Sequence, residues 1–174
     1  MRIGILIGVM LVVFLVAACG GAPVNTPTPS ITQEVFSCPV TKPPPQVFVP
    51  PPKIAPNALD AAYFWYGTEK LWTELPRDGK WITSPDRDGR FTQKIAWWRH
   101  GYVAEIEQMP DLTVTGRRLD AEAPPLVASH ATNAHHPDFG DFMIVGADVP
   151  TAGCWEITGQ YHGATLTFVI ELGS

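Results

Sequence analysis

Three histidines lie within seven residues of one another, His130, His135 and His136, and Asp138 and Asp141 follow closely. Imidazole and carboxylate groups are ligands that zinc and copper accept. Proline and glycine between residues 133 and 140 predict a loop on which these groups would converge. The spacing matches no established metal motif. A polar loop with solvated histidines is therefore the favoured interpretation, and a copper or zinc site is the alternative.

Aromatic side chains provide a second candidate chemistry, because exposed rings can stack on sugars. Trp97 and Trp98 are adjacent, so on a strand they point to opposite faces. One ring is then expected in the core and the other near the surface or under a loop. Core packing is the favoured interpretation, and a glycan platform at Trp97 and Trp98 is the alternative. The crowded aromatic residues are Trp65, Tyr66, Trp72, Trp81, Trp97 and Trp98.

Charged residues do not form an obvious catalytic set. Arg117 and Arg118 are neighbours on a predicted strand, so they face opposite ways and are expected to form surface ion pairs. Glu105 and Glu107 are expected to share a strand face, but paired glycosidase carboxylates also need a cleft. Nucleophile-elbow, zinc-protease, phosphate-loop and dinucleotide motifs are missing from the sequence. The chain is predicted not to be an enzyme and to need no cofactor.

The start of the chain resembles a bacterial lipoprotein signal. Arg2 precedes an uncharged apolar run over residues 3–16, and Ala17 and Ala18 lead into Cys19. The resemblance to a lipobox implies a diacylglycerol thioether on Cys19, cleavage before it and acylation of the new amino terminus. The apolar stretch is shorter than the ~20 residues of a membrane span. The alternatives are an uncleaved transmembrane helix and a signal that is cleaved elsewhere.

Three cysteines are present. With Cys19 lipidated, Cys38 and Cys154 remain as a pair, and neither has metal-ligand spacing. Export places them in an oxidising compartment, where a disulfide is the expected state and two reduced thiols are the alternative. Because Cys154 lies on the strand face opposite Trp155, the bond is expected on the rim or outer face of the domain. There it would hold the proline-rich residues 39–57 against the domain.

The charge of the chain argues against one class of partner. The net charge is −5, and removing residues 1–18 takes away Arg2 and no acid, which makes it −6. Nucleic acids and anionic lipids attract basic surfaces, so neither is expected as the main partner.

Proline marks the boundary between a tether and a globular domain. Residues 20–57 hold 11 of the 18 prolines, and proline excludes helices and central strands. The predicted organisation is a signal peptide at 1–18, a lipidated cysteine with a semi-rigid tether at 19–57, and a domain at 58–174.

The domain alternates apolar and polar residues over short stretches, which predicts strands. The Asp78-Gly79 and Tyr161-His162-Gly163 turns predict hairpins. Such spacing favours a single antiparallel, immunoglobulin-like β-sandwich. The predicted strands are 62–66, 70–75, 80–83, 91–99, 112–119, 126–130, 142–149, 154–161 and 165–171.

Several segments resemble a family of bacterial secreted proteins and lipoproteins without an assigned activity. The resemblance spans roughly residues 63–174 and implies no catalytic or binding residues. The stretch 153–159 also looks like the penultimate strand of immunoglobulin-like domains. The segments that carry the family resemblance are 116–120, 123–126 and 150–159, together with Tyr66-Gly67, Leu71-Trp72 and Trp97-Trp98-Arg99.

These patterns predict a non-enzymatic, lipid-anchored protein on the extracytoplasmic side of a bacterial membrane. The expected partners are the membrane, through the lipid on Cys19, and an envelope protein or glycan. Copper or zinc binding by the histidine loop and glycan binding by tryptophans are the alternative functions.

Overall fold

The computed structural model describes residues 36–51, 54 and 59–173, all of which belong to the compact unit Val35–Ser174. The lipidation prediction at Cys19 lies outside the described residues. Within the described part the chain is all-β, as predicted, and it has no helix long and apolar enough to cross a membrane. Its strands are β1 (Tyr63–Thr68), β2 (Leu71–Pro76), β3 (Lys80–Ile82), β4 (Phe91–Trp98), β5 (Thr113–Arg118), β6 (Val127–Ala128), β7 (Thr132–His136), β8 (Gly140–Val149), β9 (Gly153–Tyr161) and β10 (Ala164–Gly173).

The strands form two sheets. The first has the order β1-β2-β4-β8-β6, with β7 also paired to β8, and the second has the order β3-β10-β9-β5. Every pairing is antiparallel except that of β3 with β10. The prediction of an all-β sandwich is confirmed.

The core follows directly from the alternation of side chains. On β9, Trp155 and Ile157 are fully buried, and on β10 Phe168 and Ile170 are almost so. Opposite them, β8 contributes Met143 and three further buried apolar residues. Since each fully buried side chain of this kind contributes roughly 1.5–3 kcal/mol, the facing strands hold the two sheets together.

The β9–β10 hairpin is as predicted, and its turn chemistry explains its position. Tyr161 pairs with Ala164, so two residues connect the strands. His162 and Gly163 have φ angles of 46° and 77°. Positive φ at both central residues matches the type I′ turn that suits the twist of a hairpin.

The Asp78-Gly79 turn was wrongly predicted to be a hairpin. It connects strands of different sheets, because β2 pairs with β1 and β4 whereas β3 pairs with β10. Gly79 has a φ of 75°, and a Cβ there would lie 2.5 Å from the Val40 side chain. A glycine therefore lets the chain turn closely beneath the proline-rich segment.

Three further local predictions were wrong. Residues 132–136 form β7 rather than part of a loop, because pairing with β8 compensates for their weak alternation. Strand β6 has only two residues. Glu105 and Glu107 lie in the irregular connection between β4 and β5, so they share no strand face.

The disulfide between Cys38 and Cys154 is present, with Cα atoms 5.5 Å apart. Trp155 is in the core, so Cys154 faces away from it, as predicted, yet only 2% of Cys154 is exposed. Three residues after Cys38, the Thr41 amide donates to the Val169 carbonyl at 2.8 Å, and the Val169 amide donates to the Thr41 hydroxyl at 2.9 Å. These contacts lie on the edge of β10 just before Glu171, where its pairing with β3 begins.

Residues 36–51 and 54, hereafter the strap, also bring apolar side chains to the domain. Val47 packs against the main core. The Phe48 ring lies 5.4 Å from that of Trp72, and Ile54 is buried in the same cluster. The strap is therefore part of the folded unit and covers apolar surface.

Candidate functional site

A cleft of about 720 Å³ lies on the outer face of the first sheet. It forms where the strap meets the end of β4 and the β7–β8 hairpin, so distant parts of the chain contribute to it. Its volume falls within the ~300–1,000 Å³ that is typical of small-molecule sites. Its described lining is Pro51, Ile54, Trp72, Trp98, Arg99, His100, Gly101, Tyr102, His135, Pro137, Phe139, Gly140 and Asp141.

The floor of the cleft is aromatic and firmly packed. Trp98 stacks on Phe142 at 5.2 Å and donates its indole N–H to the Phe139 carbonyl at 3.0 Å. Trp65 meets Trp98 edge-on at 5.0 Å. By contrast, the indole N–H of Trp72 is buried without a hydrogen-bond partner. Such a donor is costly to leave unpaired.

One side of the rim is a histidine–carboxylate pair. The β7–β8 register places His135 opposite Asp141, and His135 Nδ1 lies 2.7 Å from Asp141 Oδ1. The Ala104 amide donates to Asp141 Oδ2 at 3.3 Å. With an ionised carboxylate, His135 Nδ1 carries the proton, so the ring has a defined tautomer.

Arg99 is a second polar group of the lining. Its Nη1 donates to Nδ1 of His162 at 2.8 Å, and the guanidinium lies 5.6 Å from the Tyr161 ring centroid. Because His162 Nδ1 accepts from arginine, the neutral ring carries its proton on Nε2, which lies 3.7 Å from Glu107 Oε1. Arg99 is thereby held by the His162 ring nitrogen and by the face of the Tyr161 ring.

A hydrogen-bond network behind the rim orders the connection between β4 and β5. The Tyr102 hydroxyl donates to the Glu107 carbonyl at 2.8 Å, and the Tyr161 hydroxyl donates to the Glu107 carboxylate. Burial and the charges of Glu107 and Asp141 raise the pKa of Tyr102 to about 12. Burial, with Glu107, also raises the pKa of Tyr161. Both phenols therefore stay protonated donors at physiological pH.

The predicted histidine set is divided by the fold. His135 lines the cleft, His136 is exposed next to it on β7, and His130 is exposed and absent from the described lining. Within the ranges that the structure describes, no group of three or more His, Cys, Asp or Glu side chains is arranged to hold a metal. The copper or zinc hypothesis thus gains no geometric support.

We predict that zinc or copper titrated into the protein will show no stoichiometric site of sub-micromolar affinity. The reason is that His130 does not join His135 and His136. Calorimetry with each ion measures this directly. A tight site that is lost on combining His135→Ala with His136→Ala would contradict the prediction and restore the metal hypothesis.

Both residues of the predicted glycan platform are buried. Trp97 lies in the core with none of its surface exposed, and Trp98 is 3% exposed beneath Phe139 and Phe142. Adjacent residues on a strand point to opposite faces of the sheet. Trp97 therefore lies in the core between the sheets, and Trp98 lies in the cluster on the outer face. Neither ring therefore presents an open face to a sugar.

The predicted surface ion pairs of the arginines are present. Arg117 Nε lies 2.7 Å from Glu156, and Arg118 Nε lies 2.7 Å from Asp120. The arginine hydrogen bond holds the pKa of Asp120 below its usual value. The first pair joins β5 to β9, and Asp120, which follows β5, also accepts from the Cys154 amide at 3.2 Å.

Sequence reasoning missed the residues that give the cleft its character, Arg99, His100 and Tyr102. Their only local signal is their position directly after a strand, where side chains often line sites carried on loops. No family model matches the chain, and no curated protein is significantly similar to it in sequence.

Proposed function

We propose that this chain is a lipid-anchored β-sandwich of the bacterial envelope that binds an envelope component without chemically altering it. The observation that carries the binding role is the cleft, which combines an aromatic floor with a polar rim at a place where distant segments meet. Concave sites of this composition are the usual sites of ligand recognition.

The chemistry of the cleft supports binding over catalysis. His135 and Asp141 form an oriented pair, but the described lining contains no serine, threonine or cysteine to act as the nucleophile of a triad. The Tyr102 hydroxyl already donates its proton to the Glu107 carbonyl, so Arg99, His100 and His135 are the polar side chains of the lining that remain available as donors or acceptors. The available groups can therefore orient a ligand through hydrogen bonds.

The anchoring role is supported by the sequence around Cys19 and by the proline-rich segment after it. Each buried CH₂ of an acyl chain contributes about 0.8 kcal/mol, so several chains hold a protein at a membrane. A tether between the lipid and the domain would leave the cleft open to other envelope components.

We predict that Cys19→Ala will abolish lipidation, because alanine has no thiol to form the thioether. The protein should be released or remain unprocessed. Membrane fractionation with mass spectrometry of the amino-terminal peptide measures both outcomes, and Gly20→Ser provides a control that retains the cysteine. Recovery of a processed, acylated membrane form of Cys19→Ala would refute the anchor.

We predict that a photo-crosslinking amino acid at His100, which is exposed on the cleft rim, will form a defined adduct in intact cells. The same group at the exposed Arg87 should not. Phe139→Ala, which removes part of the floor, should abolish the adduct. Identical products from both positions, or no product from His100, would argue against a binding role for the cleft.

A further inference from the structure

We propose that the ligand of this cleft has an acidic group on an apolar, preferably aromatic, body. The acidic group would lie at Arg99 and His100, and the body would lie against the half-buried ring of Phe139 and the exposed Pro137. This inference rests on the proposed binding function and specifies the chemical class of the ligand.

The first argument is the charge at the rim. Arg99 contacts the Nδ1 acceptor of His162 and the face of Tyr161, and neither contact supplies a negative charge. The guanidinium has five N–H donors in a planar fork that matches a carboxylate or phosphate. Most of this binding capacity therefore remains after the contact with His162.

The second argument is how the carboxylate of the cleft is used. Asp141 accepts from His135 on one oxygen and from the Ala104 amide on the other. Both of its oxygens are thus already engaged by groups other than Arg99. Within the described lining, Arg99 is the one lysine or arginine side chain, so the acidic group of a ligand would be placed there.

The third argument concerns the body of the ligand. Ile54, Trp72 and Trp98 form an apolar cluster with Phe139 packed against it. Phe139 is only half-buried, unlike Trp72 and Trp98 beneath it, so it is the ring of this cluster that a ligand can contact. An entirely hydrocarbon ligand would leave the donors of Arg99 unused.

Two other ligand classes fit less well. A neutral sugar carries no charge to match Arg99, and Trp72 and Trp98, which are 2% and 3% exposed, offer it no open aromatic face. A cationic ligand would meet the positive charge of Arg99 at the entrance. An acidic group joined to an apolar body uses both the rim and the floor.

The test compares 1-naphthaleneacetate with its neutral amide, 1-naphthaleneacetamide, which shares the same ring system. Saturation-transfer NMR would measure their affinities for the processed protein in nanodiscs, with protein-free nanodiscs as the blank. Hydrogen bonds to charged groups are among the stronger ones. We therefore expect the acid to bind about tenfold more tightly than the amide.

Substitutions test whether the charge of Arg99 causes the preference for the acid over the amide. Arg99→Gln should remove the preference for the acid, whereas Arg87→Gln should retain it. His162→Ala removes the tether of Arg99 but keeps its charge, so the preference should persist. Its loss in His162→Ala would overturn the charge assignment.

The outcomes also separate this inference from the proposed function. Equal affinities for acid and amide would overturn the acidic ligand class while leaving the cleft a binding site. Binding of neither compound would overturn the inference, and crosslinking from His100 would then decide independently whether the cleft binds a partner in cells.

Discussion

Replacing both Cys38 and Cys154 by alanine is expected to lower the free energy of unfolding by about 3 kcal/mol. The disulfide joins residues 116 apart in sequence, and chain entropy alone predicts about 4.7 kcal/mol for a loop of ~100 residues. We expect a smaller value because the strap retains its bonds between Thr41 and Val169 and its contact between Phe48 and Trp72. The melting temperature should fall by about 10 °C.

The location of the disulfide predicts which part of the chain loosens. Without the bond, the strap should become cleavable by chymotrypsin after Phe48, whose ring is packed against Trp72 in the folded protein, while the strands from Tyr63 onward stay folded. Thermal unfolding and limited chymotrypsin digestion of oxidised, reduced and doubly substituted protein would measure this. A melting temperature within 2 °C of the wild type, or a strap that resists chymotrypsin after reduction, would contradict the expectation.

The contact between Trp97 and Gly159 is expected to be the most sensitive point of the core. Trp97 on β4 is completely buried, and a Cβ built on Gly159 of β9 would lie 2.5 Å from two carbons of its indole ring. Gly159→Ala should therefore destabilise the fold by about 2 kcal/mol through overpacking. Trp97→Ala should cost about 3–5 kcal/mol, because it leaves a cavity between the sheets.

A double-mutant cycle tests whether the two residues share one space. Trp97→Leu shortens the side chain, so its combination with Gly159→Ala should be less destabilising than the sum of the two single changes. Urea unfolding measures each variant. Gly173→Ala is the matched control, since a Cβ there meets nothing within 4 Å. Additive effects, or a fully stable Gly159→Ala protein, would show that the ring adjusts without strain.

The class of the fold and most of its strands could be predicted from the pattern of apolar and polar residues. Alternation along β9 and β10 places Trp155, Ile157, Phe168 and Ile170 on the core face, because side chains on a strand alternate with a period of two whatever packs against them. The disulfide also followed from the sequence, since only two cysteines remain after the amino-terminal one. Alternation is a property of a single strand, and the cysteines can be counted in the sequence, so both predictions could be made without knowing the tertiary structure.

Partner strands changed the local predictions where the pattern was weak. The polar segment Thr132–His136 becomes a strand because β8 supplies its hydrogen bonds. Lys80–Ile82 joins the second sheet because it pairs with β10 rather than with its neighbour β2. Neither pairing leaves a periodic signal in the segment itself.

The candidate site depends on how segments distant in the sequence pack together. The cleft brings Ile54 of the strap, Arg99 after β4 and His135 of β7 to one place, and no spacing in the sequence relates these residues. The same packing buries Trp98 under Phe139 and ties Arg99 to His162. The burial and charge of a site depend on neighbours that are distant in sequence. A local pattern therefore predicts strands, but it does not predict the cleft that forms where the strap meets the first sheet.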